Sequence, residues 1–189
     1  MLGRAAFAIL LAFAASGCST PGENLPELES RSLTPYRLGI GDEVRDSVVA
    51  ASAELSGTQR ALVLACEHGA GGGDMGGVVT FPCVAMIPPS LIDFILSRNL
   101  AEGVVVAGCS ESTCYNRLGV EWTKERFAGT RDPYLRKRVA RERLATIWAS
   151  PFETGRYEAE KAAFAAGLRP SAKTEAAARQ AGETMEAQP

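Results

Sequence analysis

VVTFPCVAMIPPSLIDFILSRNLAEGVVVAGC, residues 78–109, decides the fold. It opens and closes with continuous apolar runs, VVTFPC (78–83) and GVVVAGC (103–109), which do not alternate with polar residues and so read as strands buried on both faces. Between them Pro88-Pro89 leads into SLIDFILSRNLAEG. There Ser90 is a predicted N-cap, apolar residues at 91, 92, 95 and 96 share one helical face, and Gly103 is a predicted stop. Strand, helix and strand in that order make a right-handed crossover with parallel strands, so their carboxyl ends share one edge of a sheet. A third such run, ALVLAC (61–66), precedes them, and all three end in cysteine. The predicted class is α/β: a small parallel sheet of about four strands flanked by helices, with three cysteines at strand carboxyl ends.

Working outward, a helix over about Asn116–Phe127, another through Leu135–Arg141, the apolar run LATIWAS (144–150) and a last helix over Thr154–Ala166 extend the alternation. These bound a domain over residues 60–168. Residues 169–189 turn to Ala, Glu, Gln and Lys with Met185 as the only large apolar residue from Ser171 onward, a composition too poor in burial to offset ordering entropy, so a disordered tail is expected. Residues 19–59 carry Pro21, Pro26 and Pro35 and read as a linker leading into a short helix. The whole chain of 189 residues is 46% apolar and 22% charged, enough for one core, and its net charge of -2 gives no drive toward nucleic acid.

Residues 1–18 have the layout of a secretory leader: Arg4, an apolar run AAFAILLAFAA (5–15), then Ser16-Gly17 before Cys18. At about 1.5 Å per residue that run reaches roughly 16 Å, too short to span a bilayer. AASGCST resembles the lipobox of bacterial lipoproteins, which implies a lipid anchor at Cys18. TPYRLGIGDEVR (34–45) resembles the opening of the polysaccharide-export lipoproteins, and the likeness stops there.

Five cysteines and one histidine make thiolate the main ligand type. Cys66, Cys83, Cys109 and Cys114 are separated by 16, 25 and 4 residues, and the last pair brackets a tight turn, SEST. Four soft ligands of this kind suit an iron-sulfur cluster, for which C-x4-C is a known interval, and equally a structural zinc ion. Spacing does not choose between them. In an oxidising compartment the same four could form two disulfides or a redox-active pair at Cys109 and Cys114.

GVVVAGCSESTCYNRLG (103–119) resembles the iron-sulfur delta subunit of methyl-viologen-reducing hydrogenase, whose motif is GC-x4-C followed by an aromatic residue and a glycine. FPCVAMIPPSLIDFIL, EWTKERFAG and RLATIWAS resemble other segments of that family, and the likeness runs over about residues 60–168. It implies an electron carrier rather than a self-sufficient catalyst, holding a [2Fe-2S] cluster on Cys66, Cys83, Cys109 and Cys114. Its partners would be a hydrogenase or formate dehydrogenase subunit and a flavin-containing heterodisulfide reductase. The family's first motif is richer in cysteine than ACEHG here, which makes His68 an alternative first ligand, although a loop histidine bonded to backbone groups is the simpler reading. Met86 and Pro88 replace residues that the family usually has polar or charged, so the surface near Cys83 departs from its pattern. The resemblance points to the cytoplasm, the leader to an exported or membrane-anchored protein.

GGGDMG (71–76) has the glycines of a dinucleotide fingerprint but leads into a strand, where the mechanism needs a helix, and reads as a loop allowing close backbone approach. Six basic residues between Arg131 and Arg143 read as a solvated helix face, or as a surface steering an acidic redox partner. Trp122 and Trp148 read as core.

Overall fold

Ala61–Cys66, Val78–Phe81, Gly103–Gly108 and Leu144–Trp148 form strands β1 to β4 of one four-stranded sheet in the computed structural model of the protein, ordered β2-β1-β3-β4. The structure describes residues 41–73, 76–171 and 174, all within one compact unit. Every strand pair is parallel, with Val63 level with Val78, Ala65 with Ala107, and Ala107 with Ile147. The predicted α/β class and parallel sheet are therefore as observed.

Four helices cover the sheet: α1 (Asp42–Ala53), α2 (Pro89–Ser97), α3 (Gly119–Ala128) and α4 (Thr154–Gly167). Alternate residues of a strand face opposite sides, and the core divides accordingly. Leu62, Leu64, Val104 and Val106 point into the main core with Val48 of α1, with Leu91, Ile92, Ile95 and Leu96 of α2, and with Val120 and Phe127 of α3. Val63, Ala65, Val105 and Ala107 point the other way, onto Tyr157 and Phe164 of α4. Each fully buried Val, Leu or Ile contributes roughly 1.5–3 kcal/mol. The stretch read as linker with a short helix thus supplies α1, whose Val48 is completely buried.

Three boundaries differ from expectation. In α2 the proline occupies the first turn, where its missing N–H costs nothing; Pro88 is the N-cap and Ser90 lies inside the helix. The helix also stops early, at Ser97, with Asn99 in the left-handed region (φ 53°), and Gly103 opens β3 instead of ending a helix. Residues 116–118 precede α3, which starts at Gly119 and ends on left-handed Gly129. No helix covers 135–141. Leu135 and Val139 are buried from an irregular segment pinned by its arginines to Asp93, and only a 3-10 turn, Arg141–Arg143, leads into β4.

Among the described residues no helix is long and apolar enough to cross a membrane. The leader, Cys18 and the lipoprotein-like segment up to residue 40 lie outside the described residues, as does most of 169–189. Within that tail Ser171 and Thr174 are described, and both hydroxyls reach the Glu102 carboxylate.

Candidate functional site

Parallel pairing delivers the cysteines to one edge. Cys66 is the last residue of β1 and Cys109 follows β3, its hydrogen-bonded neighbour, so their side chains leave the sheet side by side. Their sulfurs are 3.6 Å apart. That is too long for the ~2.0 Å disulfide bond, and it matches the edge of about 3.8 Å that a tetrahedral site with ~2.3 Å metal–sulfur bonds requires. Both residues are sealed from solvent, at 1% and 3% exposure.

Cys83 comes from the other neighbour of β1. It follows Pro82 at the end of β2 and starts a 3-10 turn, Val84–Met86, and the Cys66 Sγ–H is 3.7 Å from the Pro82 carbonyl. Cys114 closes the 3-10 turn Glu111–Thr113 and is half-buried. These last two meet at Gly119, the first residue of α3: a Cβ there would lie 2.5 Å from the Cys83 sulfur and 3.4 Å from the Cys114 sulfur. Only glycine leaves room for both.

The four core cysteines therefore gather on the α2/α3 side of the sheet as two neighbouring pairs, and all four are free thiols. Burial pushes the Cys66 thiol up to about 12; the His68 amide N–H, donated to the sulfur, opposes this, while the nearby Cys109 and Cys83 sulfurs add to it. Left alone, such a group stays protonated. Several buried thiolates need a cation to hold them, and soft sulfur donors suit iron or zinc. Among the described residues no group of three or more His, Cys, Asp or Glu is placed so that it could hold a metal ion, and the thiols stand as two pairs rather than one ligand sphere.

The surroundings come from close backbone approach. Gly69 packs its Cα against the backbone of Gly108 and Cys109, where a Cβ would stand 2.9 Å from the Gly108 carbonyl carbon. That contact brings the loop after β1 against Cys109, and within the segment 71–76 Gly72 makes the close backbone approach, where a Cβ would stand 2.8 Å from the Cys66 carbonyl oxygen. His68 belongs to this loop; its ring stacks on Tyr115 with centroids 4.0 Å apart, and Nε2 faces Glu67 Oε1 at 3.1 Å. Arg126 of α3 donates to the Ala85 carbonyl and so ties that helix to the turn after Cys83. Sequence reasoning named the thiols but not Gly119, Gly69 or Arg126 as their supports. The glycine after the C-x4-C motif was the one visible signal. Trp148 packs on Gly108 and the core, and Trp122 lies under Arg131, 4.8 Å from its guanidinium carbon.

Outside the site, Met86, Tyr115 and Leu118 are exposed large apolar residues, the first two at 61% and 71%. All three are within four residues of Cys83 or Cys114 in the chain.

No curated protein matches the chain. A family model, methyl-viologen-reducing hydrogenase, delta subunit, matches residues 73–170, just over half of the chain, taking in Cys83, Cys109 and Cys114 and beginning after Cys66 and His68. With β2, β3, β4 and three of the four gathered thiols inside that span, the chain belongs to the family of methyl-viologen-reducing hydrogenase delta subunits.

Proposed function

We propose that this chain is an electron-transfer subunit of a hydrogenase- or heterodisulfide-reductase-type complex, with Cys66, Cys83, Cys109 and Cys114 as the ligands of a [2Fe-2S] cluster. When bound, the cluster supplies one-electron redox chemistry. The observation that carries this reading is the gathering of four free thiols from three strand ends and one turn at a single sheet edge. Their arrangement as two pairs suits a centre with two ligands per iron, and the C-x4-C interval of Cys109 and Cys114 is one that iron-sulfur proteins use.

The residues around the thiols do three things. The buried strand ends exclude water from Cys66 and Cys109, the His68 N–H donates to the Cys66 sulfur, and the β1 loop covers the site. N–H donors to sulfur and low solvent access are the protein's means of setting a cluster's potential. Cys114 is the least buried thiol, and Met86, Tyr115 and Leu118 offer apolar contact area beside that edge for a redox partner. His68 is already engaged with Tyr115 and Glu67, so the ligand set is read on sulfur alone.

Iron and acid-labile sulfide analysis of anaerobically purified full-length protein, with visible absorbance, tests the proposal. Two irons and two sulfides per chain are expected for this cluster type. Stoichiometric zinc without colour, or two native disulfides by mass spectrometry, overturns it.

Gly119→Ala tests the geometry without removing a ligand. Alanine favours a helix over glycine by about 1 kcal/mol, but its methyl would press into the Cys83 sulfur. Iron retention is expected to fall by about 10–100-fold, the usual effect of disturbing a ligand's support, with helix content by circular dichroism unchanged. Full iron retention would show that the two sulfurs do not need that glycine.

A further inference from the structure

Helix α2 has a second face. Its apolar residues Leu91, Ile92, Ile95 and Leu96 enter the core, while Phe94 and Arg98 face a cavity of about 820 Å³ that is also lined by Arg45 of α1 and by Arg136 and Arg138 of the segment before β4. Four guanidinium groups around one concavity repel one another. Asp93, also in the lining, answers part of that charge: Arg138 forks onto its carboxylate and Arg136 Nη1 reaches Oδ2 at 2.9 Å. Among the described residues Arg45 has one ion pair, with the highly exposed Asp42 at 3.2 Å, and Arg98 has none.

Two further observations concern the Arg45 and Arg98 guanidinium groups, of which Arg98 is exposed to solvent. Arg45 and Arg98 both lie against the Phe94 ring, with guanidinium carbons 5.8 and 6.0 Å from its centroid, so the aromatic face orients them beside the cavity. The Arg45 Nε is buried with no hydrogen-bond acceptor. The Arg126 Nε and the Tyr157 hydroxyl, neither of them in the cavity lining, are unpartnered in the same way, so the Arg45 Nε adds a free donor beside the cavity without by itself marking a ligand.

We propose that this cavity binds a compact anion carrying two or more phosphate groups. The cationic lining is all arginine, whose planar fork matches phosphate oxygens two at a time. The volume lies in the range of about 300–1,000 Å³ typical of small-molecule sites. Charges converging on one concavity suit a compact polyanion better than an extended acidic peptide, which would need a stripe. The thiol centre plays no part in this reasoning, so the site stands or falls independently of the cluster.

Free oligophosphate and the phosphate tail of a nucleotide present the same chemistry. Titration calorimetry of the full chain with tripolyphosphate, ATP and adenosine separates them: equal affinity for the first two assigns recognition to the phosphates alone, and ATP binding at least about tenfold tighter assigns it to a nucleotide. Either result supports the site, provided that Arg98→Gln weakens binding by about 10–100-fold, the range for a lost charge-assisted hydrogen bond. Arg98 is exposed and touches no cysteine, so melting and visible spectrum should not change, and the Arg45→Gln/Arg98→Gln pair should bind weaker still. Absence of saturable binding by both phosphates, or binding indifferent to these substitutions, overturns the proposal. So does a polyglutamate peptide that binds more tightly than tripolyphosphate, which would make the cavity a protein-docking site.

Discussion

On the proposed ligand set, replacing Cys66 by alanine is expected to abolish iron and labile-sulfide binding while leaving the protein folded. The position is the decisive one because the family match starts at residue 73, after Cys66, and the case for Cys66 rests on the chain's own cysteine pattern and on the nearness of its sulfur to that of Cys109. Its sulfur sits 3.6 Å from that of Cys109 and is buried by both neighbouring strands. Disturbing a mere support of a metal ligand already costs about 10–100-fold in affinity, so removing a ligand should cost more. Alanine is small and apolar, and the strand keeps its backbone pairing, so far-ultraviolet circular dichroism should match the parent. Cys83→Ala, Cys109→Ala and Cys114→Ala should behave in the same way. His68→Ala should keep its iron, since the ring is committed to Tyr115 and Glu67. Full iron content in the Cys66 variant together with its loss in the His68 variant would move the first ligand position from sulfur to imidazole.

How much of this was legible in the chain follows from what each feature depends on. The sheet was legible because ALVLAC, VVTFPC and GVVVAGC are almost wholly apolar, Thr80 excepted, as strands covered on both faces require, and the crossover rule then put the carboxyl ends of the second and third at one edge; that Cys66 and Cys109 are neighbours came from the strand order β2-β1-β3-β4. Helix ends were less legible. Ser90 and Gly103 are residue types that cap helices, yet a proline at position 89 and a left-handed Asn99 set the limits of α2 instead, through backbone geometry that composition does not specify. The segment 135–141 misled because Leu135 and Val139 are four apart, as on a helix, while tertiary ion pairing to Asp93 was what held it. Gly119 appeared only as part of a motif; its purpose depends on two sulfurs arriving from distant strands, and no local pattern carries that. The same holds for the arginine cavity, whose members at 45, 98, 136 and 138 come from three separate segments.

The largest stability effect is expected at Arg60. Its Nε and Nη2 hold the two oxygens of Glu102 at 2.8 and 3.0 Å, where the chain turns into β3, and Glu102 is only 1% exposed. The pair is lopsided, since the Arg60 side chain keeps 20% exposure and can find water if its partner goes. Arg60→Ala leaves a buried carboxylate without its cation, a change that costs about 3–5 kcal/mol, or roughly 6–20 °C in melting temperature for a domain of this size. Glu102→Leu removes the buried charge itself and should cost clearly less. Burial alone would raise the Glu102 carboxyl, but hydrogen bonds from Arg60 and Thr174 and the Arg60 charge together outweigh it, so it lies below its ordinary value. A carboxylate depressed in this way adds stability that is complete above the unfolded value of about 4.3 and is lost as pH falls through the folded one. Denaturation of the parent should therefore show stability falling as pH drops below about 4, and Glu102→Gln, which has no proton to take up, should show a shallower fall over the same range. All variants are compared in the same cluster state, because a bound cofactor adds its own stabilisation. Equal destabilisation by Arg60→Ala and Glu102→Leu, with parallel acid slopes for parent and Glu102→Gln, would mean that the ion pair packs as an ordinary surface contact and that the start of β3 is held by its apolar neighbours alone.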